Sequence, residues 1–493
     1  MDPELVRRVE AFWVDVGREQ YRALAGLETR PALAEVYERY ADLFRTDTIS
    51  AVADAERAAE GESRRRLRVL REFLVTGAAE RAGADVHDRR LAWEAEKTLD
   101  IAGERIPLRQ AVKALADAED PEHRRAIWAA RMEALGEAEP LDRDRFERDW
   151  EVFRLAGGGL PDAWESLTGI RLGPLAESAR AVLAETEAIY RDLLTYTLPK
   201  RLGVTLAEAT AADRPRLERA PWFDAHFAVD DPVAVARRQL AEIGWDLEVG
   251  GRVALDLESR PAKTSRAFCA VIRVPDEIVL VVSRAGGWRD WYAFYHELGH
   301  AQHFARVDAA LPFEDRALGD HSVTEGIARL FDRLPTQPSW LARYLGFRGA
   351  DRAEFTRHAA LVDLLQLRRQ AAKLLYEMEL HGAGRFDGMP ELYAELMEKA
   401  TLLPHDPAAY LDDVDPHFYC ARYLRAWSLS ALLTDHLRDR FDEDWYRNPR
   451  SAPYLEELFA RGQAEDGDAL ARRLGEERLD FSRVRVQLEE AIA

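Results

Sequence analysis

The opening stretch places Val6, Val9, Phe12, Trp13 and Val16 at helical intervals, marking one apolar face of an amphipathic helix. The same periodicity recurs near residues 34–44, 63–83, 107–117, 122–134 and 174–195, in a first half rich in Ala, Leu, Arg and Glu. The charged positions of these helices read as solvated faces. Gly157-Gly158-Gly159-Leu160-Pro161 interrupts the pattern as a loop or hinge. Near residue 245 the period changes. Residues 247–255 have the look of a short β-segment around Gly250-Gly251. Residues 267–274 and 277–282 are rich in β-branched side chains and separated by Pro275-Asp276, which predicts a hairpin. Gly286-Gly287 ends the sheet, and Asp290 is placed to cap a following helix. Most of the remainder is helical. The predicted fold class is mainly α with a small β-sheet. Two lobes are expected, residues 1–245 and 246–493, packed as one integrated unit because no repeat or low-complexity linker separates them.

Within the helical stretch after the sheet stands His296-Glu297-Leu298-Gly299-His300. Histidines at i and i+4 lie one above the other on a helix face, so both imidazoles can reach one tetrahedral ion. The glutamate beside the first histidine can then act on a water at the metal. The flank Trp291-Tyr292-Ala293-Phe294-Tyr295 is apolar and aromatic, as a buried active-site helix requires, and His303 adds a third histidine at i+7 on the same face. Glu325, within Thr324-Glu325-Gly326-Ile327-Ala328, is a candidate third ligand on a second apolar-periodic helix. The competing reading is a surface helix with satisfied histidines; three histidines on one face of an apolar segment weigh against it. Three protein ligands leave the fourth position of one zinc ion for water, which marks a catalytic site. The hairpin just before this helix offers a strand edge to which an extended peptide could add, or it is an ordinary buried hairpin.

Composition narrows the partners. The 493 residues carry a formal net charge of −20, which argues against nucleic acid, since phosphate binding needs a basic surface. A hydrophobic fraction of 47% with 32% charged residues is that of a soluble globular protein. Two cysteines, Cys269 and Cys420, argue against a secreted disulfide scaffold and leave a single bridge open. Met1-Asp2-Pro3-Glu4 lacks a basic region followed by an apolar run, so no signal peptide is expected, and no stretch of about 18 uninterrupted apolar residues predicts a membrane span. The expectation is a cytoplasmic soluble protein, without nucleic-acid or membrane partners and with no oligomeric state implied.

The His296–His300 motif, the following Ala301-Gln302-His303-Phe304 and a glutamate after a gap of 24 residues resemble the M3 family of zinc oligopeptidases, of thimet oligopeptidase and oligoendopeptidase F type. The angiotensin-converting-enzyme-like peptidases have a similar layout, whereas thermolysin-like enzymes place the glutamate closer. Arg266-Ala267-Phe268-Cys269 and Gly286-Gly287 also resemble M3-type sequences, and the similarity covers roughly residues 260–435. The resemblance implies a helical ellipsoid in two halves around a deep channel that admits short unfolded peptides. It implies His296, His300 and Glu325 as zinc ligands and Glu297 as general base. In residues 416–427 it implies that His417 and Tyr423 face the substrate carbonyl. Where the relatives carry a second tyrosine stands Ala426, so Tyr419 is the candidate for the missing hydroxyl. Where they carry an aspartate four residues after the glutamate ligand stands Arg329, leaving Asp320 and His321 as candidates to buttress a zinc histidine. A carboxypeptidase or dipeptidyl carboxypeptidase is the alternative, with Arg425 or Arg422 gripping the substrate carboxylate or else lying solvent-facing. A catalytically silent helical peptide-binding scaffold is the reading from another class.

Overall fold

A computed structural model describes residues 2–28, 32–260, 262–264, 267–284 and 286–492. Arg266 of the expected strand motif lies outside the described residues. In chain order, the elements that bear on function are α1 (Pro3–Leu24), α2 (Gly61–Glu96), β1 (Thr98–Ile101), β2 (Glu104–Pro107), α3 (Pro121–Gly157), β3 (Val253–Asp256), β4 (Phe268–Arg273), β5 (Glu277–Val281), α4 (Trp288–Ala305), α5 (His321–Asp332), α6 (Gly349–Ala383) and α7 (Tyr419–Phe441). The fold is mainly α with two small sheets. Among the described residues no helix is long and apolar enough to cross a membrane. The chain divides into two compact units, and the division interleaves along the sequence. The first unit comprises Met1–Leu74, Trp222–Thr356 and Arg425–Gln487; the second comprises Val75–Pro221, Arg357–Leu424 and Leu488–Ala493. Residue 245, where composition changes, lies inside the middle segment of the first unit.

In the first unit, α1 starts at a proline, and the Asp2 carboxylate accepts the Glu4 N–H at 2.9 Å. Val9, Phe12 and Val14 are its buried residues; Val6, Trp13 and Val16 are only half-buried, so the inner face is rotated towards Val14. Val14 packs with Ala270, Ile272, Val279 and Val281 of the sheet. The expected hairpin forms: β4 and β5 are antiparallel, with Ala270 opposite Val279. The segment expected over 247–255 narrows to β3, which runs parallel to β5, and Gly250-Gly251 turn into it with φ 64° and 91°. The order β3-β5-β4 leaves β4 at the edge.

Helix α4 is anchored by its rear face. Trp291, Tyr295, Leu298, Gln302 and Ala305 are buried there. Their polar atoms are satisfied: Trp291 Nε1 donates to the Phe227 carbonyl at 3.0 Å, and Gln302 Nε2 to the Leu247 carbonyl at 2.9 Å. Tyr295 Oη and Trp340 Nε1 both donate to Gln239 Oε1, at 3.1 and 2.7 Å. The cap differs from the sequence expectation. Gly287, at φ 80°, is the N-cap; Asp290 sits in the first turn and its carboxylate accepts the Gly286 N–H at 2.7 Å. Helix α5 is capped by Asp320, whose side chain accepts the Ser322 N–H at 2.9 Å, and it is buried from Ser322 to Asp332. The two helices approach so closely that a Cβ at Gly299 would lie 2.7 Å from Ala328 Cα and 3.2 Å from the Ile327 and Ala328 carbonyl oxygens.

In the second unit, the β1–β2 hairpin is an element that the helical reading of the first half does not contain. It buries Leu99, Ile101 and Ile106 with Ala111, Leu115, Ile127 and Ala134. Arg124, fully buried on α3, is paired with Asp213 at 2.7 Å. Part of α6 lines the residues around 413–420. There Asp413 pairs with Arg369 and accepts from Tyr393 Oη at 2.8 Å. Burial alone would raise the Asp413 carboxyl, but Arg369, Lys373 and Arg214 outweigh it and hold it well below the usual carboxylate range.

Two stability predictions follow from these contacts. Gly299→Ala presses a methyl group against the α5 backbone and is expected to lower the unfolding free energy by about 1–3 kcal/mol in urea titrations. Asp413→Asn strands Arg369 and is expected to cost about 3–5 kcal/mol. Because the folded-state pKa of Asp413 is depressed, its contribution is present above an unfolded-state pKa of about 3.9 and lost as pH falls further. Urea unfolding as a function of pH should therefore show an acid-sensitive limb that Asp413→Asn flattens.

Candidate metal centre

One face of α4 carries Tyr292, His296 and His300 at successive i+4 positions, opposite the rear anchor. Helix α5 brings Glu325 against them. His296 Nε2 and His300 Nε2 stand 3.4 and 3.8 Å from the same carboxylate oxygen, Glu325 Oε2. All three potential ligand atoms lie within 4.8 Å of one another. Ligand atoms bound to one zinc ion at tetrahedral angles lie about 3.3 Å apart. The separations here are those of the edges of a coordination polyhedron, and the donor set of two imidazoles and a carboxylate suits zinc.

The other ring nitrogens are engaged in the way a metal site requires. His296 Nδ1–H donates to Asp332 Oδ2 at 2.9 Å, and His300 Nδ1 lies 2.9 Å from Thr324 Oγ1. These contacts turn each Nε2 towards Glu325, and a bound metal ion would displace the proton that His296 otherwise holds there. Asp332 is fully buried and lies seven residues after Glu325, two turns along the same helix face. It, rather than Asp320 or His321, buttresses the first histidine. Asp320 instead caps α5 and accepts from the Gly467 N–H at 2.9 Å and from Arg425 at 3.3 Å. His321 opens α5. Arg329, where the related motif has aspartate, is buried with its guanidinium 3.6 Å from the Trp427 ring centroid and donates to Tyr292 Oη at 3.1 Å.

Charge balance explains the protonation of the site. Burial works against a charged His296, but Asp332 and Glu325 outweigh it and hold its pKa well above the ordinary value. Burial lowers His300 to about 4, so its imidazole is neutral. Burial raises Glu297 to about 7, with Glu325 adding to the effect and His296 opposing it. A divalent cation among these groups would take over the positive charge that His296 otherwise supplies and would lower Glu297 again. Glu297 is fixed from the sheet: the Cys269 N–H of edge strand β4 donates to Glu297 Oε2 at 2.9 Å. Burial and Glu297 together hold the Cys269 thiol well above its usual pKa, and it is free, as is Cys420.

The third histidine does not join the site. His303 is fully buried, with its ring 5.1 Å from that of Phe304 and 5.5 Å from that of Phe459. Burial lowers its pKa to about 3, which leaves it a neutral core residue.

His417, Tyr419 and Tyr423 belong to the second unit. His417 and Phe418 lie in a turn just before α7 with φ of 50° and 55°, left-handed values that cost a residue with a side chain about 1 kcal/mol or more each. His417 Nε2 faces Asp149 Oδ2 at 3.7 Å, and its ring lies 5.0 Å from that of Phe153. Tyr419 and Tyr423, one helical turn apart, have ring centroids at 4.9 Å. Ala426 is fully buried. The arginines expected either to grip a carboxylate or to face solvent are buried. Arg425 is tied to Asp320 and Asp468 at 3.3 and 3.1 Å, and Arg422 lies 6.0 Å over the Trp164 ring. A second convergence of ligand types, Glu377, Asp415 and Cys420, also lies in this unit. Its cation is already supplied by Lys373, whose Nζ is 2.8 Å from Asp415 and 3.8 Å from Asp413.

No family model matches the chain, and no curated protein matches it in sequence. Among solved structures, metallocarboxypeptidase 1 of Trypanosoma cruzi matches over 100% of both chains, with a TM-score of 0.61 and 15% identity. The chain therefore shares the fold of that structure.

Removing the buttress tests this geometry. Asp332→Ala is expected to weaken zinc binding about 10- to 100-fold in chelator competition. His303→Ala leaves the metal site intact and should change zinc affinity by less than about threefold.

Proposed function

We propose that the protein is a zinc-dependent metallopeptidase that hydrolyses peptide bonds in short oligopeptides, of the M3 type that its motifs resemble. One observation carries this reading: two imidazole nitrogens converge on one oxygen of Glu325, with Glu297 held beside them by the edge strand. His296, His300 and Glu325 would hold a single zinc ion. Bound there, zinc supplies a Lewis acid and lowers the pKa of water towards about 7. Glu297 takes the proton of the attacking water and returns it to the leaving amine. Its bond from the Cys269 N–H keeps one carboxylate oxygen fixed and leaves the other for that exchange. Strand β4 ends the sheet, so an extended peptide could align along its outer edge beside the Cys269–Glu297 bond, through main-chain hydrogen bonds. His417, with Tyr423 or Tyr419, is assigned to donate to the oxyanion of the tetrahedral intermediate.

The second reading, a zinc carboxypeptidase, is favoured by the name of the solved structure that shares the fold. The carboxylate grips that it needs are not provided by Arg425, which is neutralised by two aspartates, or by Arg422, which is buried against Trp164.

Mass spectrometry of a mixed peptide pool incubated with zinc-loaded protein separates the readings. Internal cuts are expected; stepwise loss from C-termini would replace the oligopeptidase reading with the carboxypeptidase one. Absence of any cleavage would contradict both. Glu297→Gln is expected to keep its zinc and lose at least about 100-fold in kcat. His417→Ala is expected to be slower by about 100-fold or more, yet still active.

A further inference from the structure

Helix α6 carries Arg369, Lys373, Glu377 and His381, a polar row at i+4 intervals along one face. Buried polar groups on one helix stripe are costly unless each has a partner, and here every rung meets the chain around 413–420 or its surroundings. Arg369 pairs with Asp413, and Lys373 with Asp415 at 2.8 Å. Glu377 is fully buried and engages both ends of the turn that follows. Its Oε1 accepts the Asp415 N–H at 2.9 Å and its Oε2 accepts from Cys420 Sγ at 3.1 Å. His381 accepts from Trp150 Nε1 at 2.9 Å, and its ring lies 5.1 Å from that of Phe418. Between the two residues that Glu377 grips lie His417 and Phe418, both at positive φ.

We propose that Glu377 is a positioning residue: its carboxyl staples Asp415 to Cys420, holds His417 in its left-handed conformation, and so sets the orientation of the imidazole for catalysis. The part that concerns catalysis rests on the role assigned to His417 above. Residues with a Cβ leave the left-handed region unless neighbouring contacts forbid it. Phe418, fully buried with its ring 5.6 Å from that of Trp164, pins the middle of the turn. The Glu377 carboxyl bonds to both ends of the turn, the Asp415 N–H and Cys420 Sγ. Lys373, on the preceding rung, fixes the Asp415 side chain, so backbone and side chain of that residue are held separately. Cys420 stands at the first turn of α7, so the same carboxyl also fixes the start of the helix that carries Tyr419 and Tyr423.

The test compares wild type, Glu377→Gln, His417→Ala and the double variant on a short peptide, with hydrogen–deuterium exchange over residues 413–424. The amide keeps the size of the side chain and one acceptor. Glu377→Gln is expected to lower kcat about 10- to 100-fold, as a displaced catalytic group does, with KM changed by less than about twofold. In the His417→Ala background it should lower kcat no further, because its effect passes through His417. Exchange should quicken in 413–424 and not elsewhere. Cys420→Ala, which removes one end of the staple only, should give a smaller loss of the same kind and serves if Glu377→Gln does not fold. Equal losses of kcat in both backgrounds, or unchanged kcat, would overturn the catalytic part. Unchanged exchange over 413–424 would overturn the staple itself. If wild type cleaves no peptide, the peptidase reading falls, while the exchange measurement still decides whether Glu377 holds the turn.

Discussion

Helices α4 and α5 meet where Gly299 lies against the backbone of Ala328, a distance at which no Cβ fits. Helices that pack through side chains keep their axes about 8–10 Å apart. The missing side chain at Gly299 permits this close approach, at which Glu325 meets His296 and His300 and Asp332, two turns on, meets the far nitrogen of His296. The rest of the first unit can be understood as holding that approach in place. Trp291, Tyr295 and Gln302 fasten α4 from behind, and Asp320 fastens the start of α5. Gly326 extends the same logic to the other side of α5, where a Cβ would come within 2.9 Å of the Leu429 side chain.

The site then balances charge at low exposure. Glu325 and Asp332 are almost wholly withdrawn from water, and Glu297 is confined by a backbone N–H from the sheet. Buried carboxylates at this density need compensating positive charge, which His296 supplies by binding a proton and a divalent cation would supply better. The second unit meets a comparable demand differently. Around 413–420 its acids Asp413 and Asp415 are paired with Arg369 and Lys373 from a single helix stripe.

What the sequence makes legible is what is local. The i, i+4 histidines, the glutamate between them, the β4–β5 hairpin and its Pro275-Asp276 turn depend on neighbours a few residues away, and all are present where the pattern places them. Glu325 is also legible, because its helix has its own apolar period. Asp332 lies on the same face as Glu325 at i+7, a spacing that the sequence displays, but nothing in it says which turn of α5 faces His296. His303 shows the converse: its i+7 spacing from His296 is right, yet α4 there faces Phe459, so the ring is core. The β1–β2 hairpin is four residues a side around Ala102-Gly103, too short for alternation to stand out against flanking helices. The interleaving of the two units and the left-handed turn at His417 arise from contacts between distant segments, which no local period encodes. The buried Arg425 and Arg422 illustrate the same limit: a charged residue on a helix reads as solvated until its partners from elsewhere in the chain are known.

The central claim is that one zinc ion is held by His296, His300 and Glu325. Anomalous diffraction at the zinc absorption edge, from crystals of zinc-loaded protein, tests it most directly. The account predicts a single peak about 2.0–2.2 Å from His296 Nε2, His300 Nε2 and a Glu325 carboxylate oxygen. A peak at Glu377, Asp415 and Cys420 instead, or none at the His296–Glu325 site in fully loaded protein, would contradict it.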